Sequence, residues 1–216
     1  MAGAVGIWHP QAMDDPKIIE LVAQPTAAVR IRQTIAELDL ATAFDRFLPL
    51  VGQRVMEAGG EPAGPPYGRY HAFGPEFVDV EIGIPVGRVP DGIPSLTSVP
   101  AGEVGANELP AGPVARTIHR GSYDGLKQAY DRLHDWIHAQ PGWDDGNGPW
   151  ESYIDLPSPD IDMAQVRTEI RWPLRRMPGR AQGEPRQPGL LKGKVRLADD
   201  WESPEGNAEI ATLFEG

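Results

Sequence analysis

The chain of 216 residues contains no cysteine. That absence excludes disulfides, thiolate metal sites and a cysteine nucleophile. Basic residues are scarce as well: 20 Lys and Arg stand against 31 Asp and Glu, a formal charge of −11. Duplex DNA binding rests on Lys and Arg neutralising phosphates, so this balance argues against a nucleic-acid partner and suits a neutral or cationic one. No apolar run approaches the roughly 18 residues of a membrane-spanning helix. The opening stretch, Met1 to Pro16, also lacks the basic start and apolar segment of a secretory signal. The expectation is a cytoplasmic protein with no membrane partner. Glycine and proline, by contrast, are plentiful at 25 and 23 residues, gathered between periodic segments as turn punctuation.

Charge divides the chain. Lys17 to Leu174 holds 22 acids and 13 bases, whereas Arg175 to Arg196 holds seven bases and one acid. The organisation expected is an N-terminal extension over 1–16, a domain over 17–174, a Pro/Gly-rich linker over 175–189 and a C-terminal tail over 190–216. Residues 17–33 are β-branched and apolar and read as one strand entering the fold. From Leu40 the set Phe44, Phe47, Leu48, Val51 and Val55 recurs at helical spacing, with a kink or break expected at Pro49 and a stop at Gly59-Gly60. Two strands follow, Tyr67 to Phe73 and Phe77 to Pro85, then a Gly/Pro-rich crossover over 86–106.

The same order then recurs. Pro113 to Arg120 reads as a strand. A helix capped by Ser122 or Asp124 buries Leu126, Ala129, Tyr130, Leu133 and Ile137. Trp150 to Leu156 and Val166 to Leu174 close the domain. Three local matches point to duplication: Ala43–Phe47 with Ala129–Leu133, Gly64–Tyr70 with Asn147–Tyr153, and Glu81–Val86 with Glu169–Leu174. Each half, 17–87 and 107–174, therefore reads β-α-β-β. The fold class is α+β, with both helices on one face of a curved antiparallel sheet and a concave, helix-free face left between the halves for a ligand.

His119-Arg120-Gly121-Ser122-Tyr123-Asp124-Gly125-Leu126, Trp150-Glu151-Ser152-Tyr153-Ile154 and Thr168-Glu169-Ile170-Arg171-Trp172-Pro173-Leu174 occur in that order. Together they resemble the GyrI-like family of small-molecule-binding domains, over roughly residues 17–174. The resemblance implies a SOUL-like pseudo-symmetric fold. It further implies a buried carboxylate on the penultimate strand that meets cationic ligands among aromatic rings, and Glu151 stands at that position. Relatives in that family serve as effector-binding domains of AraC- and MerR-type regulators, sequester toxic compounds, or modulate DNA gyrase; some are credited with hydrolysing electrophilic small molecules.

The residues themselves bear on that site. Glu151 is flanked by Trp150, Tyr153 and Ile154, a poor solvent for a carboxylate. Strand alternation puts Glu151 and Tyr153 on one face and Trp150 and Ser152 on the other. Tyr67 and Tyr70 hold the equivalent place in the first half, where Gly68 replaces the acid. Glu151, Tyr153, Trp150, Tyr67, Tyr70 and Trp172 are the candidate ligand-binding residues for a multidrug-type aromatic or cationic compound. Should the site be enzymatic, Glu151 with Tyr153 would supply acid/base chemistry.

The remaining signals are weaker. His134 and His138, four apart on one helix, have the spacing of a zinc pair, but no third ligand is evident, so neither metal nor cofactor is assigned. Ser122 lacks a nucleophile's sequence context, and His71 reads as an ordinary strand residue. The tail, with Trp201, Leu213 and Phe214 as its anchors, resembles the toxin-binding segment of Phd/YefM-type antitoxins. A protein partner, a toxin or gyrase, is the expectation that follows.

Overall fold

Residues 13–34, 36, 39–156 and 161–177 are described by the computed structural model of the chain. The strands are β1 (Lys17–Leu21), β2 (Gln24–Thr34), β3 (Tyr67–Phe73), β4 (Phe77–Pro85), β5 (Val104–Leu109), β6 (Gly112–Arg120), β7 (Trp143–Asp145), β8 (Trp150–Tyr153) and β9 (Arg167–Arg176). The helices are α1 (Leu40–Glu57) and α2 (Leu126–His138). The strands form one strongly curled antiparallel sheet, in the order β1-β6-β9-β8-β3-β4-β2-β5, with β7 added on β9. Read from its two ends this order has the same connectivity: β2, α1, β3 and β4 correspond to β6, α2, β8 and β9. The α+β class with two helices on a curled sheet is thus as the sequence predicts.

Residues 17–33 differ from the expectation of a single strand. Val22 and Ala23 interrupt the ladder, so β1 pairs with β6 of the second half while β2 pairs with β4 and β5. The crossover likewise contains structure, since its last residues begin β5. The N-terminal extension is tied down where it meets the sheet: Met13 bridges to His119, and the Asp14 backbone N–H donates to the Ile118 carbonyl. At the other end β9 continues through Arg176, because its last residues pair with β7. Strand β9 therefore runs past Leu174 to Arg176. The tail and its anchors Trp201, Leu213 and Phe214 lie outside the described residues.

Helix α1 begins where Asp39 accepts a hydrogen bond from the Thr42 backbone at 3.0 Å, and it ends before Gly59, whose φ of 72° a glycine tolerates at no cost. No break occurs at Pro49. The proline sits on the exposed side of the helix, so the Asp45 carbonyl that loses its donor is left to water rather than to the core. The buried stripe Ala43, Phe47, Val51 and Val55 packs on Val29, Val80, Ile82 and Ile84. Ala129, Leu133 and Ile137 of α2 pack on Ala115, Ile170 and Leu174. Neither Ser122 nor Asp124 caps α2 through its side chain; a short 3-10 turn over 123–125 leads into the helix from Gly125.

An interior proline costs a helix hydrogen bond even when exposed. Pro49→Ala is accordingly expected to raise the unfolding free energy by about 1–3 kcal/mol, measured by urea denaturation at constant m-value. A drop in the midpoint would mean that the proline ring itself supports the fold.

Candidate ligand-binding site

Strands β3 and β8 meet at the middle of the sheet through three residue pairs, Tyr67–Ser152, Gly68–Glu151 and Arg69–Trp150. Directly paired residues of antiparallel strands share a face. The row through Glu151 runs Val29, Ile82, Gly68, Glu151 and Ile170. Val29 and Ile82 belong to the core under α1 and Ile170 to the core under α2. Glu151 therefore stands on the helix-bearing face, between the two helix cores. The concave helix-free face expected to hold the ligand is not where the carboxylate points.

Glu151 is only 4% exposed. The Tyr153 hydroxyl donates to its Oε2 at 2.7 Å, and the Tyr70 hydroxyl reaches the same oxygen at 3.5 Å, the outer limit of a hydrogen bond. Tyr130 of α2 buries its hydroxyl beside the same carboxylate without a well-aligned hydrogen bond. Phe44 of α1 and Tyr123 of the turn before α2 meet Tyr153 edge-on, with ring centroids 5.0 and 5.8 Å away. Gly68 makes this possible: a Cβ there would lie 2.7 Å from the Phe44 ring and 3.2 Å from the Tyr153 hydroxyl. Among the described residues Glu151 has no ion pair. Burial pushes its carboxyl above the usual range, and the tyrosine contacts only partly offset this. The same burial, reinforced by the Glu151 charge, pushes Tyr70, Tyr130 and Tyr153 upward, so all three remain O–H donors.

A second buried glutamate makes the contrast. Glu81, on the opposite face, receives the Tyr67 hydroxyl, His71 Nε2 at 2.8 Å and Asn107 Nδ2 at 2.8 Å. Burial opposes its charge, but the bonds from His71 and Tyr67 outweigh it and hold the carboxyl below the ordinary value. His71, read from sequence as an ordinary strand residue, is a partner of this carboxylate. Among the described residues Glu81 finds partners that hold its charge; Glu151 finds only phenols.

Of the candidate residues, Glu151, Tyr153 and Tyr70 come together. Trp172 shares their face but stands behind Tyr130, 5.6 Å ring to ring, with its indole N–H donated to the Gly146 carbonyl at 2.9 Å. Trp150 and Tyr67 lie on the other side, in a core with Ala28, Leu96, Leu109 and Val114. Tyr67 and Tyr70 are three positions apart in one strand, so period two sends them to opposite faces. Phe44, Tyr123 and Tyr130 were not anticipated as site residues. Tyr130 had been read as helix core, and the hydroxyl that a buried Tyr must satisfy was the available signal. His119 is a core residue whose Nε2 meets the Ser122 carbonyl at 2.9 Å. A separate recess of about 380 Å³ beside the end of α1, lined by residues such as Gly60, Pro62 and Arg88, shares no lining residue with the Glu151 cluster.

This architecture is the GyrI-like, SOUL-like α+β fold. No family model and no curated protein matches the sequence. Among solved structures the chain is similar to the C-terminal domain of EcmrR, at 25% identity over 76% of this chain and 98% of that one, with a TM-score of 0.62. It matches EcmrR in its complex with DNA as well, where it spans 58% of that longer chain. SAV2435 bound to tetraphenylphosphonium aligns over 74% of this chain and 94% of its own at 13% identity, TM-score 0.53. A hydrolase from Listeria innocua aligns over 78% and 94% at 13% identity, TM-score 0.52. The last two bear on the fold alone.

The raised Glu151 carboxyl has a consequence for stability. A protonated Glu151 is buried cheaply, and a charged one is not. Stability should therefore fall as pH rises from the usual carboxylate range through the raised folded-state value. Glu151→Gln lacks this loss. At pH 7 the variant is expected to melt about 2–6 °C above the unmodified protein, with the gap closing toward pH 4 in a calorimetric series. A variant that melts lower at pH 7 would refute an uncompensated carboxylate.

Proposed function

We propose that this protein binds a lipophilic organic cation between α1 and α2, with Glu151 as the counter-charge, so as to sense or sequester the compound. The observation that carries the reading is the buried Glu151 carboxylate, ringed by Tyr70, Tyr130 and Tyr153 and given no cation among the described residues. A carboxylate in such a place is held neutral until a positive charge arrives. A cation would let Glu151 ionise and would lie against aromatic rings, whose faces attract positive charge. Tyr123, 37% exposed, is the ring whose displacement opens the cage. That SAV2435 was solved with tetraphenylphosphonium supports the fold's capacity for such ions. The acidic balance of this chain favours cations over anions and over direct nucleic-acid binding. A second reading rests on the same raised carboxyl: a neutral Glu151 beside Tyr153 is a general acid for hydrolysing an electrophilic compound.

Calorimetric titration with tetraphenylphosphonium, and with neutral triphenylphosphine oxide as the matched control, separates these. Glu151→Gln is expected to weaken the cation by about tenfold or more, roughly 1.4 kcal/mol per decade, and to leave the neutral compound unchanged. Cation affinity should rise with pH as the carboxyl is freed of its proton. Equal loss for both compounds, or none, would remove the counter-charge role. Turnover of an electrophilic ester that disappears in Glu151→Gln while binding persists would establish the acid reading instead.

A further inference from the structure

The third ligand missing from the sequence pattern of His134 and His138 is supplied by the fold. Helix α2 ends at His138, the chain turns through Gly142 at φ 78°, and β7 returns antiparallel to β9. This brings Asp145 back to the last turn of α2. His134 Nε2 and His138 Nε2 lie 2.9 Å apart, and His138 Nε2 is 3.1 Å from Asp145 Oδ1. One ligand atom from each of the three residues falls within 4.8 Å of the others. We propose that His134, His138 and Asp145 form a binding site for a divalent transition cation of the zinc type, distinct from the Glu151 cage.

Geometry and chemistry agree on the class. Bonds of about 2.0–2.1 Å at tetrahedral angles place ligand atoms about 3.3 Å apart, close to the spacing already present. Two imidazoles and a carboxylate suit Zn²⁺, Ni²⁺ and Cu²⁺ rather than Ca²⁺ or Mg²⁺, which prefer all-oxygen sets. Each imidazole also has a carboxylate behind its other nitrogen. Asp135 Oδ1 is 3.8 Å from His134 Nδ1, and Asp144 Oδ1 is 3.6 Å from His138 Nδ1. Too long for hydrogen bonds, they stand on the side where a carboxylate takes the Nδ1 proton of an imidazole that gives its Nε2 to a metal. The supports are stiff: Leu133 and Ile137, beside the two histidines on α2, are fully buried, and Asp145 is held by pairing with Leu174. All three ligands are at least one-third exposed, so an ion from solution can reach them. Three protein ligands leave a fourth position open to water or to a group brought by a partner.

The site has its own reporter. The His134 ring lies 5.8 Å from Trp172, close enough for a paramagnetic ion to quench that indole. The test uses the full chain without an affinity tag, titrated with ZnCl₂ by calorimetry and with NiCl₂ by tryptophan fluorescence. Expected are saturable one-to-one binding of both ions and partial quenching by Ni²⁺ that Trp172→Phe removes. His134→Ala, His138→Ala and Asp145→Asn should each weaken Zn²⁺ by at least about tenfold. Their metal-free melting temperatures should stay unchanged, because the altered side chains are exposed. Undiminished one-to-one Zn²⁺ binding in the His134→Ala/His138→Ala double variant would overturn the site, as would no saturable binding below about 1 mM. Binding of tetraphenylphosphonium is not expected to depend on His134→Ala, His138→Ala or Asp145→Asn, so this result and the cage reading stand or fall separately.

Discussion

The three residue pairs between β3 and β8 are the constraint on which the rest depends. Each half of the sheet ends in a strand with open hydrogen-bonding groups, and these two strands close on each other with Gly68 opposite Glu151. Removing that pairing would leave two half-sheets, each with an unsatisfied edge and one helix. Making it sets the row Val29, Ile82, Gly68, Glu151 and Ile170 across the whole sheet. The two helices cover the ends of that row with aliphatic side chains and leave its centre to an acid. The site is thus a product of the seam, not of either half.

Three buried glutamates in one small domain show what a carboxylate needs to be structural. Glu81 has a tyrosine, a histidine and an asparagine, and its charge is stabilised in place. Glu169, at the corresponding point of β9, is paired with Arg116 and Arg171. Glu151 has only phenols. A phenol donates one hydrogen bond but brings no charge, so it softens desolvation without cancelling it. The fold can supply cations to a buried acid and does so at Glu169, with two arginines. Among the described residues no cation stands beside Glu151, and the proposal of a cationic ligand rests on that difference.

Much of this was readable beforehand, for physical reasons that can be named. The order of strands and helices follows from apolar periodicity and from Gly and Pro at the turns; of the closing strands expected over Trp150 to Leu156 and Val166 to Leu174, β8 stops at Tyr153 and β9 runs from Arg167 to Arg176. Alternation placed Glu151 beside Tyr153 correctly. The same rule applied to Tyr67 and Tyr70 would have separated them, since an odd spacing within one strand puts two side chains on opposite faces. What no pattern showed was which sheet face the helices would cover, because that depends on how β2 and β6 enter the sheet. The choice of face decided that Phe44 and Tyr130, helix residues, would join the site and that Trp150 and Tyr67 would become core. Pro49 illustrates a different limit. Its cost is local, while the burial of Phe47, Val51 and Val55 on either side is collective, and the collective term keeps α1 continuous.

The asymmetry at the seam narrows what the cage can hold. The two halves share strand order and both place a helix over the sheet, yet at the point where they face each other one contributes an acid and the other a glycine. An acid at both positions would put like charges in directly paired positions, and one of them would have to stay protonated. Gly68 avoids that and gives its space to the Phe44 ring, which approaches where a Cβ would collide. The result is one carboxyl among aromatic rings, Phe44 of the first half and Tyr123 and Tyr130 of the second. Under the proposed function, such a cage would suit a ligand with a single delocalised positive charge and aromatic bulk around it. A compact ammonium would leave the rings unfilled, and a dication would leave one charge without a partner.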